Sequence, residues 1–503
     1  MTVSIRPTGI ALSELARLLP GASVRGEAHV RDVTHDSRQA APGTLFCAIR
    51  GATTDGHDHA PQAADNGAAA LLVERWLDVD APQVRVGDVR AAAGEAAAIV
   101  HGRPSAQMAV VGITGTNGKT TTAYLVEAAM AAAGWSTGLV GTVESRIDGE
   151  AVPGVRTTPE GPDLQRLLAD MARRGVDGVA IEVSSHGLRL HRVAGLDVRV
   201  GVFTNLSQDH LDFHTDMDDY ADAKALLFTP ERSQSAVIDV DGDWGPRMAA
   251  RSGVPTTTVG DAGVVRRTFV HVGLDGTTVR LDGPTEALGR PGPVDVTTRL
   301  VGDFNGRNAS DAYLAAVAAG VPAEAALAGI AACPGAPGRL EPVDVGQDVR
   351  VLVDYAHTPD AVRTVIATLR PLLDPGARLL VVLGAGGDRD AGKRGPMGAA
   401  AAAADVAVLT SDNPRSEDPA TILAAVEAGA RGVGGTAEVM VEVDRRQAIA
   451  TALDRARGSD VVLIAGKGHE VGQQFADHTV DFDDRRVAAE LLVAARHRVE
   501  GAA

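Results

Sequence analysis

The sequence has little of several features that would each indicate a particular class of protein. Its 503 residues include only two cysteines, Cys47 and Cys333, too few for a disulfide framework or a thiolate metal site. No stretch of roughly 18 apolar residues is free of charge, and the first residues show no basic segment followed by an apolar one. We therefore expect a protein of a reducing compartment, the cytoplasm, with no insertion into a membrane.

Positive charge is also scarce. Asp and Glu (65) outnumber Lys and Arg (48), and the formal net charge is −17. Because such a surface repels nucleic acid and anionic membranes, we expect neither as a partner. An anionic substrate then has to be held by local devices, such as helix N-termini and individual arginines.

The length and the order of patterns predict an α/β protein of about three domains. Residues 1–105 alternate short apolar runs with Ala-rich helical stretches, which predicts a small α/β domain. Residues 106–337 open on a phosphate-loop pattern and predict a central domain with a mostly parallel sheet. Residues 338–503 alternate strand and helix, which predicts a doubly wound, Rossmann-like domain.

The central domain begins with the stretch MAVVGITGTNGKTTTAYLVEAAM, residues 108–130. A short apolar run predicts a buried strand, the glycines predict a turn, and a helix should begin at Lys119. In this order the loop N–H groups and the helix N-terminus converge where a polyphosphate can bind, with Lys119 near the outer phosphates and Thr120 on Mg²⁺. The strict pattern has a glycine where Ile113 stands, so the loop is a variant. The alternative is a Gly-rich turn with a solvated lysine.

Two further stretches of the central domain carry candidate metal ligands. Glu182 ends the apolar strand GVAIE, and acidic groups at the carboxyl end of a strand are where open α/β sheets bind ligand and metal. His210 and His214 follow a later strand, but no HExxH helix is present, which argues against a zinc protease. Mg²⁺ suits Glu182 with His210 better. Lys224, in a helical stretch, is by default a solvated lysine.

Other candidates have ordinary structural alternatives. Ser37 lies in THDSRQAAPG, which without further information is a surface turn. Asn305 and Asn308 stand near the start of a predicted helix, where asparagines often act as caps. The segment around Asp275-Gly276 predicts a hairpin.

Three charged loops follow strand ends of the last domain: GDRDAGKRG, SDNPRSEDP and GKGHE. One charged loop is usually only solvated, but three at the same sheet edge indicate a site. Arg389, Arg415, Lys467 and Glu470 are the candidates for holding a zwitterion. GAGGDRD is a poor dinucleotide loop because Arg389 replaces its third glycine.

Taken in order, GTNGKTTT, EVSSH, DHLDFH, the later Lys224, FNGRN, PGRLE, DYAHTPD and DNPR resemble the Mur ligases over nearly the whole chain. These are ATP-dependent enzymes of peptidoglycan precursor synthesis that form an amide through an acyl phosphate. DNPR, with GGDRD and GKGHE, is similar to the members that add diaminopimelate to UDP-N-acetylmuramoyl-L-alanyl-D-glutamate. Lysine-adding members lack the arginine of DNPR.

The resemblance implies substrates and ligands for matched residues. ATP would be bound by Gly115, Thr116, Asn117, Gly118, Lys119, Thr120 and Thr121, with Asn308, Arg339 and Asp354. The UDP-muramoyl-dipeptide would contact Ser37, which would hold the UDP group in the first domain, and Thr157, Thr158, Ser184 and Arg192. Diaminopimelate would contact Arg389, Asp412, Asn413, Pro414, Arg415, Gly466 and Glu470. Mg²⁺ would be held by Thr120, Glu182, His210 and Lys224, the last as a carbamate. The catalytic residues would be Lys119, Glu182, His210 and Lys224.

Two departures from the family pattern concern substrate contacts: Arg156 stands where an asparagine is common, and Leu190 where some members have a glutamine. The nearest alternatives are a lysine-adding Mur ligase and a folylpolyglutamate synthase. An alternative of another class is a nucleotide-gated regulatory protein, which would leave Lys224 and the three charged loops without a role. We expect a monomer.

Overall fold

The computed structural model describes residues 9–51, 53–152 and 156–500, with side chains up to residue 496. The chain divides into two compact units. The first takes in the chain up to residue 270 together with 279–298 and 307–333, and the second takes in 271–278, 299–306 and the chain from residue 334 onward. The predicted domain boundaries at residues 105 and 337 stay predictions. None of the described helices has the length and apolarity needed to cross a bilayer.

The N-terminal part of the first unit is a small sheet with helices packed against it. Its elements are β1 (Ile10–Ala11), α1 (Leu12–Leu18), β2 (Ser23–Arg25), β3 (His29–Val30), β4 (Asp32–Thr34), β5 (Thr44–Cys47), α2 (Ala60–Asp65), β6 (Ala70–Val73), β7 (Gln83–Arg85) and α3 (Val89–Val100). Five strands lie in the order β2-β7-β6-β5-β4, parallel except for β2. Every residue of β5 and β6 is buried, as expected for parallel strands covered on both faces.

The rest of the first unit is built on an 11-stranded sheet. Its strands are β8 (Ala109–Thr114), β9 (Thr137–Val140), β10 (Ser145–Ile147), β11 (Glu150–Val152), β12 (Gly178–Glu182), β13 (Val198–Phe203), β14 (Ser233–Asp239), β15 (Thr256–Gly260), β16 (Val265–Gly273), β17 (Gly276–Asp282) and β18 (Val294–Thr298). Seven of these strands are parallel neighbours, in the order β9, β12, β8, β13, β14, β15 and β16. The ends of β16 and β17 near residues 274–275 fall in the second unit and form the predicted hairpin.

Eight helices connect or cover these strands in the described part of the chain. They are α4 (Lys119–Ala132), α5 (Gly161–Arg173), α6 (Ser185–Arg189), α7 (Met217–Ala225), α8 (Trp244–Arg251), α9 (Thr285–Leu288), α10 (Asp303–Ala319) and α11 (Ala323–Ala332). Helix α4 begins at the predicted residue, directly after the glycine loop, and is buried along most of its length. The strand, loop and helix around residues 108–130 are therefore confirmed.

The second unit carries a six-stranded sheet and a small hairpin. Its elements are β19 (Glu341–Pro342), β20 (Arg350–Asp354), α12 (Pro359–Leu369), β21 (Leu379–Ala385), α13 (Arg394–Ala401), β22 (Val406–Ser411), α14 (Pro419–Gly432), β23 (Glu438–Val441), α15 (Arg445–Arg455), β24 (Val461–Ala465), β25 (Gly472–Gln474), β26 (Thr479–Asp481) and α16 (Asp484–Glu500). The strand order is β19-β20-β24-β21-β22-β23, parallel except for β19.

Alternating side chains of this sheet pack against helices on both faces. In β21, Leu379, Val381 and Leu383 join the core under α12, α13 and α14. Leu380 and Val382 join the core under α15 and α16. The period of two that separates these sets is that of a strand buried on both faces. The predicted doubly wound α/β domain is therefore confirmed.

A fully buried ion pair ties two of these strands together at their carboxyl ends. Arg445 Nη2 lies 2.6 Å from Asp484 Oδ2, and neither side chain has any exposed surface. Arg445 also donates to the carbonyl oxygens of Ser411 and Ala465, the last residues of β22 and β24. The loops that follow these strands carry the predicted amino-acid site. The ion pair therefore holds the strand ends from which those loops begin.

Candidate active site

The phosphate loop has glycines where its neighbours leave no room for a side chain. Gly118 has a φ of +85°, and a Cβ there would lie 2.3 Å from Asn308 Oδ1. A Cβ on Gly115 would lie 2.0 Å from Thr204 Oγ1. Such close approach by bare backbone forms the cradle that a polyphosphate requires.

Backbone and side-chain bonds hold the loop in shape. Asn117 N donates to Asn205 Oδ1 (3.0 Å) and Thr116 N to Asn205 O (2.9 Å), so the second residue after β13 holds the loop. Lys119 Nζ donates to Gly115 O (2.9 Å) and Thr116 O (2.8 Å). These bonds keep the ammonium of Lys119 at the mouth of the loop.

Asn308 belongs to this site and is not a helix cap. Helix α10 begins at Asp303, so Asn305 and Asn308 both lie inside it, whereas an N-cap residue precedes the first helical residue. The helix-cap alternative is therefore wrong. Asn308 is buried and packs directly against Gly118.

Glu182 is a buried carboxylate beside the loop hydroxyl of Thr120. Its Oε2 accepts from Thr120 Oγ1 (3.0 Å) and Thr142 Oγ1 (3.0 Å), and its Oε1 accepts from Thr142 N (2.8 Å). In the part of the chain that the structure describes, no cluster of three His, Cys, Asp or Glu side chains could hold a metal. Mg²⁺ does not require one, because it binds through one or two carboxylates, substrate phosphates and water. Glu182 and Thr120 supply the hard oxygen donors that this ion prefers, so they fit it.

Lys224 is buried, which contradicts its default interpretation as a solvated lysine. Its side chain is 1% exposed, and Nζ donates to Gly115 O at 2.8 Å. Nζ also lies 4.5 Å above the ring of Tyr220, whose hydroxyl is 3.2 Å from Thr116 Oγ1. Burial, and then the positive charge of Lys119, lowers the pKa of the Lys224 ammonium well below its usual range.

His210 is more exposed than the other predicted metal ligands. Its backbone is left-handed, with a φ of +54°, and its ring lies 6.0 Å from that of Tyr220. Burial lowers the pKa of His210, although the nearby charge of Asp209 opposes that effect. Among the described residues, no hydrogen bond joins the ring to Thr120, Glu182 or Lys224. The assignment of His210 to the metal stays a prediction.

The predicted contacts to the muramoyl-dipeptide form one polar cluster next to Glu182, apart from Ser37. Thr158 Oγ1 donates to Glu182 O (2.9 Å) and lies 3.1 Å from Ser184 Oγ. Arg192 Nη1 donates to Thr158 O at 3.3 Å. Thr142 Oγ1, which donates to Glu182, lies 3.0 Å from Thr157 Oγ1 and can accept a hydrogen bond from it.

Ser37 lies in the N-terminal sheet region, in a 3₁₀ turn after β4. It is 7% exposed, and its Oγ donates to Gln62 Oε1 at 2.8 Å. The segment is a surface turn, since Arg38, Gln39, Ala41 and Pro42 are exposed, but the side chain of Ser37 is buried within it. Its role toward UDP stays a prediction.

In the second unit, Asp354 and Arg339 lie near one end of the sheet. Asp354 ends β20 and accepts from the backbone N–H groups of Leu340 and Ala356, both at 2.8 Å. Burial raises the pKa of Asp354, and the charge of Arg339 opposes that rise. The Arg339 guanidinium lies 4.9 Å from the ring centre of Tyr355.

The three charged loops meet in one cleft of about 380 Å³ at the carboxyl ends of β20, β21, β22 and β24. This is the edge at which open parallel sheets bind ligands. The cleft is lined by all the predicted amino-acid-binding residues except Pro414, namely Arg389, Asp412, Asn413, Arg415, Gly466 and Glu470. Both signs of charge are present, as a zwitterion requires.

Lys467 lies behind this cleft and cannot contact a ligand there, contrary to the sequence-based expectation. Its side chain has no exposed surface, and Nζ donates to Asn413 Oδ1 (3.1 Å) and Glu470 Oε2 (3.3 Å). Asn413 Nδ2 donates to the same Glu470 oxygen at 2.8 Å. Arg415 Nη1 donates to Gly387 O at 2.7 Å.

Several residues that complete these sites could not be selected from the sequence pattern. Thr142 bonds Glu182 from a loop 40 positions earlier, and Tyr355, His357 and Lys393 line the cleft. For Tyr220 a signal exists: it precedes Lys224 by one helical turn in YADAK, a spacing at which helical side chains meet.

Comparison with known proteins assigns these features to one family. The chain matches the Mur ligase family catalytic domain over residues 29–105, the Mur ligase middle domain over 113–319 and the Mur ligase glutamate ligase domain over 338–468. A UDP-N-acetylmuramoyl-L-alanyl-D-glutamate--2,6-diaminopimelate ligase of Streptomyces avermitilis is 48% identical, covering 96% of this chain and 96% of that protein. The ligase of the same name from Streptomyces coelicolor is 48% identical, covering 97% of each. A solved structure of a ligase of this name superposes with a TM-score of 0.71 at 32% identity, covering 93% of this chain and 96% of that one.

Proposed function

The chain belongs to the Mur ligase family, and on that premise we propose that it is an ATP-dependent ligase joining 2,6-diaminopimelate to the D-glutamate of UDP-N-acetylmuramoyl-L-alanyl-D-glutamate. Relatives at 48% identity carry the name of that ligase. The observation that carries the choice of amino acid is the cleft of the second unit, where Arg389 and Arg415 are lining residues together with Asp412 and Glu470. Diaminopimelate has two carboxylates and two ammonium groups, so it needs donors and acceptors at both ends.

The phosphate loop suits the first chemical step. The D-glutamyl carboxylate attacks the γ-phosphorus of ATP, and the bond to the β-phosphate oxygen breaks to leave an acyl phosphate and ADP. Negative charge spreads over the transferring phosphoryl group, and the loop N–H groups would neutralise it together with Lys119, whose ammonium is bonded to loop carbonyls. A lysine held at the loop mouth by carbonyl groups needs little reorganisation to meet that charge.

Mg²⁺ would be held by Glu182 and Thr120, with His210 and a carbamylated Lys224 as further ligands implied by the family. When bound, the ion neutralises phosphate charge as a Lewis acid. The position of Lys224 supports the modification: addition of CO₂ to the amine releases a proton and leaves one N–H, which can still donate to Gly115 O.

The second step forms the amide. A deprotonated amino group of diaminopimelate attacks the acyl carbon, and inorganic phosphate leaves. Glu470 and Asp412 supply acceptors for ammonium groups in the cleft, while Arg415 can meet a carboxylate with two parallel charge-assisted hydrogen bonds. Lysine lacks the second carboxylate and would leave Arg415 unpaired.

The test is phosphate release in the presence of ATP, Mg²⁺ and the UDP-muramoyl-dipeptide with single amino acids. We expect release with diaminopimelate and very little with lysine, glutamate or no amino acid. Equal release with lysine would favour the lysine-adding alternative, and glutamate-dependent release on a folate acceptor would favour a folylpolyglutamate synthase. ATP binding without amino-acid-dependent release would favour the regulatory alternative. The cytoplasmic location and the monomeric state stay predictions.

A further inference from the structure

The hairpin of β25 and β26 lies beside the loop that carries Arg415, and none of its residues lines the cleft. It is hydrogen-bonded to three residues of that loop, Asp412, Asn413 and Arg415. Gln473 Nε2 donates to Asp412 O at 2.8 Å, and Gln474 N donates to Asn413 Oδ1 at 3.0 Å. Arg415 N in turn donates to Gln474 O at 3.0 Å. The hairpin therefore contacts the backbone and side chains of the loop from outside the cleft.

The loop needs such support because its backbone is strained at Arg415. The φ of Arg415 is +53°, in the left-handed region that residues other than glycine rarely adopt. A strained conformation persists only where the surroundings over-determine it. Release of the loop would let Arg415 return to an ordinary backbone conformation and would move its guanidinium away from Gly387 O and from the cleft.

Among these contacts, the one from Gln473 depends on a side chain. Gln473 is 7% exposed and Asp412 is 9% exposed, so water cannot readily replace the amide donor at the Asp412 carbonyl. The contacts from Gln474 use backbone atoms and survive substitution of that side chain. A change at position 473 thus removes one contact to the loop and leaves the hairpin backbone in place.

We propose that Gln473 is a positioning residue that sets the preference for diaminopimelate by holding residues 412–415 in the conformation that places Arg415 in the cleft. The inference rests on the proposed function, because it assumes that the cleft binds this amino acid. Gln473 would not touch the substrate. Its effect should therefore appear in the use of diaminopimelate and leave the other two substrates unaffected.

The experiment compares Gln473→Met with Gln347→Met in the full-length protein. Gln347 is a matched control in the same unit: its side chain also donates to backbone carbonyls, at 2.8 Å to Val343 O and 3.2 Å to Val349 O, but it does not line the cleft or contact residues 412–415. Removal of one bond to a buried carbonyl predicts that Gln473→Met raises KM for diaminopimelate about 5- to 50-fold. KM for ATP and for the UDP-muramoyl-dipeptide should stay within about twofold, since neither is bound by this loop in the proposal. Gln347→Met should leave all KM values unchanged.

A double-mutant cycle with Arg415→Ala tests the route of the effect. If Gln473 acts by placing Arg415, adding Gln473→Met to Arg415→Ala should change kcat/KM for diaminopimelate much less than it does in the unmutated protein. Additive effects would overturn the proposal, as would equal KM values for Gln473→Met and Gln347→Met. Thermal unfolding of each variant distinguishes a specific effect on the loop from a general loss of structure. A general loss would raise KM for all three substrates and would also overturn the proposal. Failure of the unmutated protein to use diaminopimelate would instead refute the proposed function.

Discussion

Substitution of Gly118 tests the phosphate loop, because the structure indicates how large the effect should be and supplies a control residue, Gly134. In Gly118→Ala, the new Cβ meets Asn308 Oδ1 at 2.3 Å and the backbone must keep a φ of +85°. Gly134 has nearly the same conformation, with a φ of +81°, but has no atom within 4 Å of its Cβ position. It also lies just beyond the opposite end of the same helix, α4. The pair separates backbone strain from contact with Asn308.

Left-handed backbone costs an alanine about 1–2 kcal/mol, and we expect Gly134→Ala to lose that much stability with unchanged activity. Gly118→Ala should lose the same amount and in addition displace a buried asparagine from its partners, at about 1–3 kcal/mol. If Asn308 and the loop bind ATP, the displacement appears as a rise in KM for ATP of roughly 5- to 150-fold. KM for the other substrates should not change.

The assay is ADP release with ATP varied and the other substrates saturating, with denaturant unfolding of the same samples. Asn308→Ala removes the atom that the new Cβ meets, so Gly118→Ala in that background should cost only the strain measured at Gly134. Equal KM values for ATP in the two glycine variants would refute the reasoning. So would a loss in the double variant as large as that in Gly118→Ala alone.

In the proposed reaction Lys119 stabilises the charge of the transferring phosphoryl group, so turnover of Lys119→Ala in the ADP-release assay should fall about 100-fold or more, whereas near-normal turnover would exclude the loop from the reaction. Lys224→Ala should be nearly inactive and Lys224→Glu partly active, because a carboxylate approximates a carbamate; an unmodified ammonium at Lys224 in a high-resolution electron-density map would contradict this. Arg415→Ala should lose most activity with diaminopimelate, at about 2–5 kcal/mol in kcat/KM, without gaining much for lysine. Asp484→Ala leaves the buried charge of Arg445 unpaired and should lower the free energy of unfolding by about 3–5 kcal/mol, measured in denaturant.

Features carried by a contiguous piece of chain could be predicted from the sequence. The strand, glycine loop and helix around Lys119 follow from local residue types, and the helix begins where the pattern places it. The three charged loops follow parallel strands, so the sheet alone brings them to one edge. Each of these conclusions needs only local pattern and the geometry of a parallel sheet.

Features that depend on distant chain segments could not be predicted from local sequence patterns. Asn308 packs against Gly118 from a helix 190 positions later, and its position near a helix start favoured the helix-cap interpretation, which is wrong. Gln473 reaches Asp412 across 61 positions. No periodicity within either segment specifies its partner, because these contacts follow from how whole elements pack.

Burial decides whether a charged residue in these loops can contact a ligand, and the sequence pattern does not show it. Arg389 and Lys467 both follow strand ends in charged loops, and sequence treats them alike, yet Arg389 is exposed to the cleft and Lys467 is wholly buried. The glycines beside Lys467 account for part of the difference: Gly466 and Gly468 have φ values of +115° and +53°, and a Cβ on Gly468 would lie 2.7 Å from Tyr355 Cβ. This tight turn directs the lysine inward, where Asn413 and Glu470 supply the partners that a buried ammonium requires. A lysine in such a turn therefore stabilises Asn413 and Glu470, and a ligand in the cleft would contact the residues on the exposed side of the loop.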